Sequence, residues 1–173
     1  MLSEGRSVNV EALRTPLRFF RDFADKCHHG KEENSLFPRL EASGIPREGG
    51  PIGVMLVEHE LGRGYIKAMN EALNNLESEE ARVAFVDNAL SYIALLRDHI
   101  FKEDNVLFDM ARAVLSEEDD RRLLEEFKEI ELEKLGPGVH EELARSLDVV
   151  EKLLILGVSF GLQLVYSNVE YSP

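Results

Sequence analysis

The chain has 173 residues, 44% hydrophobic and 31% charged, and its 33 acidic against 20 basic side chains give a formal net charge of −13. That surplus argues against a nucleic-acid backbone as partner and suits solubility and cations. The single cysteine, Cys27, excludes an internal disulfide framework and fits a reducing, cytoplasmic setting.

The N-terminus, MLSEGRSVNVEALR, lacks the apolar core of a signal peptide. Asn9 is an N-cap candidate for a first helical block that runs to about Ser43, where Gly44 is placed as a stop and Pro46 follows. Pro16, inside this block, predicts a kink or a delayed start. After the loop GIPREGGP a second block covers about residues 52–76, and Ser78 introduces a third over about 79–115. Ser116 with Asp119 reads as a capping box for EEDDRRLLEEFKEIELEKL, which stops at GPG. A last helical block begins near His140 and extends to about residue 167. Its apolar run, LLILGVSFGLQLVY, falls short of the ~20 residues of a membrane span. No sustained period-two alternation is present, so the chain reads as all-α: one domain over residues 1–173, an up-down helical bundle with additional C-terminal helices.

Residues 28–37 (HHGKEENSLF) and 99–108 (HIFKEDNVLF) agree at six of ten positions. A repeated core pattern accounts for the Leu and Phe but not for the His and Glu. At 100° per residue, Leu13, Leu17, Phe20, Ala24, His28 and Glu32 share one helix face, as do Tyr92, Leu95, His99, Glu103, Val106 and Met110. Met55, His59, Ile66 and Leu73 line a side of the second block. Three helices therefore direct a histidine toward the core, and two add a carboxylate one turn later. Burying such groups without partners is costly, a few kcal/mol for a neutral polar group and far more for a carboxylate. Imidazole and carboxylate donors suit iron, manganese or zinc, and carboxylates from two helices can bridge two ions in a bundle core.

The other polar candidates read more plainly. His29 lies 100° off the stripe, which points to a solvated or outer position, with an exchange of roles with His28, by pairing with Glu33, as the alternative; the Leu-Phe register favours His28. Tyr92 suits a core aromatic that could hydrogen-bond toward the site. Arg63 suits a surface ion pair, with neutralisation of a carboxylate as the sharper alternative. His140 suits capping, and Cys27 the edge of the core.

The segments FADKCHHGKEENSLFP, GPIGVMLVEHELGR and HIFKEDNVLF, in this order, resemble the hemerythrin-like HHE cation-binding domains over roughly residues 10–150. The resemblance implies a four-helix bundle holding non-haem, usually dinuclear, iron. It implies His28, His59 and His99 as terminal ligands and Glu32 and Glu103 as bridges; the residues read above as their candidate surroundings are His29, Glu33, Tyr92 and Arg63. Arg63 stands where oxygen-carrying members have a second histidine. The family's first-helix ligand has no counterpart, since only nine residues precede the first block and none is histidine. The resemblance therefore predicts an incomplete, weakly held or mononuclear site, with the C-terminal apolar segment or a second copy in a homodimer covering the face of that helix.

Three functions remain in view. The first is a module that binds or senses dioxygen, nitric oxide, peroxide or redox state. The second is an oxidase, peroxide-reducing or iron-handling protein, and the third a metal-free helical interaction module.

Overall fold

The computed structural model describes residues 10–139. The Asn9 cap and the block from His140 onward lie outside the described residues. The chain divides into two compact units, Met1–Leu135 and Gly136–Pro173. Of the second, the described part is the GPGV turn, with Gly136 and Gly138 at positive φ.

All described elements of the first unit are helical, as expected. The first run comprises α1 (Val10–Phe19), a π-helical segment π1 (Phe20–His29), a second, π2 (Glu32–Leu36), and α2 (Phe37–Ala42). Gly30 and Lys31 are helical too, so the run is unbroken from Val10 to Ala42, with Pro16 inside α1. Then follow α3 (Pro51–Leu73), α4 (Glu79–Lys102), π3 (Glu103–Leu107), α5 (Phe108–Val114) and α6 (Glu117–Lys134). No helix among the described residues is long and apolar enough to cross a membrane.

The ends follow local chemistry. Gly44, at φ 96°, closes the first run: the Ile45 N–H bonds the Leu40 carbonyl and the Gly44 N–H that of Glu41, each at 3.0 Å. This is a Schellman cap, and its hydrophobic clasp is Ile45 on Leu40, both in the core. Ser78 caps α4 by accepting from the Ala81 N–H, and Ser116 with Asp119 forms the expected capping box of α6.

Two apolar clusters set the bundle. One joins Leu36, Phe37 and Leu40 to Ile45, Ile52, Met55, Leu107, Ala111 and Leu123. The other joins Leu17 to Ile66, Met69, Ala72, Leu73, Phe85 and Tyr92. Early residues of the first run thus meet late residues of α3 and early residues of α4, the signature of antiparallel neighbours. α6 runs back along the first run, tied by Lys31–Glu131 (2.6 Å), Arg39–Glu126 (2.8 Å) and Arg39–Asp119 (3.1 Å). Such partly buried pairs contribute on the order of 1 kcal/mol each, and Leu123 in the core anchors α6 beside them. Along the helices, His29 and Glu32, His59, and His99 and Glu103 all fall between the two apolar clusters. The bundle contains a buried polar layer.

The π segments correct the expected faces. Bonding i→i+5 widens the turn, so successive spacings of four hold one face. Glu103, Leu107 and Ala111 are buried in this rhythm, whereas Val106, placed on the stripe by α-helical spacing, is 42% exposed. Of the stripe expected in the first run, Leu17 and Glu32 are buried, whereas Phe20, Ala24 and His28 fall outside the buried set and Phe19, Phe23, Cys27, His29, Leu36, Phe37 and Leu40 lie inside it. π2 and π3 each begin on the glutamate of the repeated phrase and end on its leucine. The repeat in sequence is a repeat of this unusual turn. Pro38, which cannot donate to the Asn34 carbonyl, helps loosen the ladder over π2. π3 has no such proline.

Candidate metal centre

π1 turns His29 inward. The residue is 7% exposed and its ring stacks on that of His59, with centroids 3.8 Å apart and planes 7° from parallel. His99 stands edge-on to His59 at 4.9 Å and to His29 at 5.6 Å. The side chain of His28 remains 36% exposed, its Nε2 3.9 Å from Glu32 Oε2 and 3.7 Å from Glu103 Oε1. The register that sets His28 inside and His29 outside is therefore replaced by one in which His29 is the more buried and His28 flanks the glutamates.

Those glutamates lie between histidines. Glu32 Oε2 is 3.3 Å from His59 Nε2, and Glu103 Oε1 is 2.9 Å from His99 Nε2, with His28 on their other side. One donor atom from each of Glu32, His59, His99 and Glu103 falls within 4.8 Å of the others, and so does one from each of His29, His59 and His99. Despite this proximity, His29 Nδ1, both Glu32 oxygens, His59 Nε2, His99 Nε2 and Glu103 Oε1 are buried without a hydrogen-bond partner. Orphaned buried polar atoms are rare in folded proteins. Here they converge on one layer and comprise only imidazole nitrogen and carboxylate oxygen, a donor set that fits iron, manganese or zinc. Cys27 is buried beside Lys31 and contributes no thiolate to it.

Behind the histidines stands a second row of carboxylates. Glu33 Oε1 is 2.6 Å from His59 Nδ1 and Glu58 Oε2 is 3.0 Å from His99 Nδ1. A carboxylate only accepts, so these contacts favour a proton on Nδ1 of both rings, which leaves each Nε2 free to turn a lone pair toward a cation in the layer. Asp25 Oδ1 lies 3.4 Å from His29 Nδ1. Cations balance this row: Arg63 bonds Asp25, Glu33 and Glu60, and Lys102 bonds Glu58. Arg63 thus neutralises inner carboxylates rather than sitting in a surface pair alone. Tyr92 is buried in the second apolar cluster, edge-on to Phe20. Glu58 and Asp25 escaped the sequence reading, although Asp25 precedes His29 by the same four residues as His28 precedes Glu32. Glu58, next to His59, points round the helix toward α4, which spacing alone does not reveal.

Electrostatics sharpen the pattern. Burial and the nearby Glu103 charge raise the pKa of Glu32 despite His28, whereas the close approach of His28 and His99 outweighs burial and lowers that of Glu103. Burial keeps Glu33 from falling further, but hydrogen bonds from Arg63 and His59 hold it below the usual range and ionised. Burial pushes His29 down to about 4, with the other histidines adding to the effect. In His28 the charges of Glu32 and Glu103 overcome desolvation and hold the ring up to about 9.

The chain stripped of metal by a chelator is therefore expected to be most stable near pH 6.5. Below that, the unfolded chain takes a proton that folded His29 refuses until about pH 4, and stability falls on acidification by on the order of 3 kcal/mol. Above it, folded His28 keeps a proton that the unfolded chain releases. Its contribution is complete below about 6.5 and disappears as pH rises through about 9. Urea titrations across pH check this: His29→Gln should flatten the acid limb and His28→Gln the alkaline one. His99, which Glu103 and Glu58 hold above its usual range against burial, keeps part of the alkaline limb, so a limb wholly unchanged by His28→Gln would refute the assignment.

With the donor layer described, the chain can be placed: it belongs to the hemerythrin family, since the hemerythrin HHE cation binding domain matches residues 2–111. Cation binding by a helical bundle is the class that fold and family define. Among curated proteins it is similar to Rv1995 and MT2051 of Mycobacterium tuberculosis and Mb2018 of Mycobacterium bovis, each described as an uncharacterized protein. Identity to each is 26% over 145 residues, which is 83% of this chain and 56% of the relative. The chain thus spans little more than half the length of those relatives. No solved structure matches it.

Proposed function

We propose that this chain is a non-haem iron-binding module that binds or senses a small molecule such as dioxygen, nitric oxide or peroxide. The observation that carries the reading is the convergence of buried, partnerless donor atoms from three helical runs on one layer. His59 and His99, oriented by Glu33 and Glu58, would hold iron through Nε2. Glu32 and Glu103, with His28 on one side and His59 and His99 on the other, would supply carboxylate oxygens to the metal, and His29 would add an imidazole on the His59–His99 side. The iron would supply affinity for a diatomic ligand or peroxide. Manganese or zinc would satisfy the same donors.

The surroundings support a small guest. A cavity of about 10 Å³ lies beside His29 and His99, walled by Glu58, Gly62, Tyr92, Leu95 and Leu96. That is room for one water-sized molecule. It suits a binding or sensing module better than an enzyme acting on an organic substrate. A Cβ at Gly62 would stand 3.5 Å from the Tyr92 ring and 3.8 Å from Leu95, so glycine helps keep this space open.

Metal analysis of protein purified without added metal tests the proposal, with one to two irons per chain expected. Its optical spectrum should then change under dioxygen or nitric oxide. Protein that takes up no Fe(II) even when it is supplied anaerobically in excess would overturn it.

A further inference from the structure

We propose that Arg63 is a positioning residue: its guanidinium clamps the carboxylates behind His29 and His59 into one unit and thereby sets the cation affinity of the donor layer. The inference rests on the metal-binding reading above and adds a control element to it.

The clamp is visible atom by atom. Arg63 Nε donates to Asp25 Oδ1 at 2.7 Å, and Nη2 donates to Glu33 Oε1 at 2.8 Å. That same Glu33 oxygen accepts from His59 Nδ1 at 2.6 Å, and the same Asp25 oxygen lies 3.4 Å from His29 Nδ1. One planar cation on α3 thus reaches two carboxylates on the first run, each set against a different imidazole. The rigid fork of a guanidinium suits this, and a lysine, a single point charge, does not. The third contact, Nη1 to Glu60 at 2.6 Å, is of another kind, because the Glu60 side chain is 73% exposed.

Asp25 and Glu33 each have side chains 24% exposed, so water is within reach of both. Without Arg63 the two carboxylates repel each other and can turn outward, which frees the Nδ1 side of His59 and takes from His29 its nearest carboxylate. Because the His29 and His59 rings stack, loosening one loosens the other. His99 is held separately, by Glu58 and Lys102. The donor layer has two independent supports, and Arg63 governs one of them.

The test compares Arg63→Gln, Glu60→Gln and Lys102→Gln in the full chain with two readouts. In metal-free protein, nitrogen-15 NMR of the imidazoles should show His59 losing its fixed Nδ1–H tautomer in Arg63→Gln while His99 keeps its own. Lys102→Gln should give the reverse, and Glu60→Gln should change neither. Competition with a chelator should show Co(II) bound about 10–100-fold more weakly by Arg63→Gln, the range outer partners of metal ligands command. Unchanged His59 signals, or equal loosening of His59 and His99, would overturn the proposal. So would weaker Co(II) binding with intact tautomers, which would place the loss in the fold. If wild-type protein takes up no Co(II), the metal-binding reading fails, and the imidazole signals still decide the role of Arg63.

Discussion

Replacing His59 by alanine is expected to leave the chain without tightly held metal. His59 is fully buried, stacks on His29, presents Nε2 to the layer within 3.3 Å of Glu32, and is fixed by Glu33 through Nδ1. It also belongs to both donor groups, the one with the glutamates and the one with His29. Its loss removes a ligand common to the two and opens a hole between the apolar clusters. The loss of affinity should exceed the ~10–100-fold typical of outer partners. Equilibrium dialysis against Fe(II) measures it, and a His59→Gln variant separates the missing ligand from the hole because it fills much of the space. If His59→Gln retains metal as tightly as the wild type, the donor layer is not where the metal sits.

Glu32→Leu should move stability and metal content in opposite directions. Glu32 is 3% exposed, and both of its oxygens are buried without a hydrogen-bond partner. Burial and the neighbouring Glu103 charge push its pKa up, which shows how poorly the metal-free site tolerates a second anion. Desolvation and Glu103 together outweigh the pairing of Glu32 with His28, so an apolar side chain of similar size removes a net cost, unlike the breaking of a satisfied buried pair, which destabilises by about 3–5 kcal/mol. The metal-free variant should therefore resist urea better than metal-free wild type, while metal uptake falls sharply. The test is discriminating. A polar layer retained for structural pairing alone would make Glu32→Leu destabilising, as breaking a satisfied network does. A lower urea midpoint for the metal-free variant would favour the interaction-module reading over the metal centre.

Much of this chain could be read before its fold was seen. Gly44, Ser78 and the Ser116–Asp119 box end or begin helices through bonds within a few residues, and such bonds need no tertiary partner. The recurrence of His, Glu and Leu-Phe likewise announced that two helical runs carry equivalent turns, and residues 28–37 and 99–108 do enter the same buried layer. Fixed α-helical spacing failed inside those turns. It placed His28 and Val106 on buried faces, where the π segments instead bury His29 and Leu107. The wider turn goes with the packing of Leu36 and Leu107 into the core, a tertiary contact that no count of 3.6 residues per turn can anticipate.

The amino-acid sequence alone determined the helical class, the helix ends, and the presence of histidines and carboxylates on core-facing turns, because these depend on neighbours three or four residues away. Only the tertiary structure decided which nitrogen of His59 faces the layer, that Glu58 on α3 serves His99 on α4, and that Arg63 binds Asp25 and Glu33 of another helix. These contacts join groups 26 to 41 residues apart in the chain. They exist only once antiparallel packing has brought three helical runs to the same height.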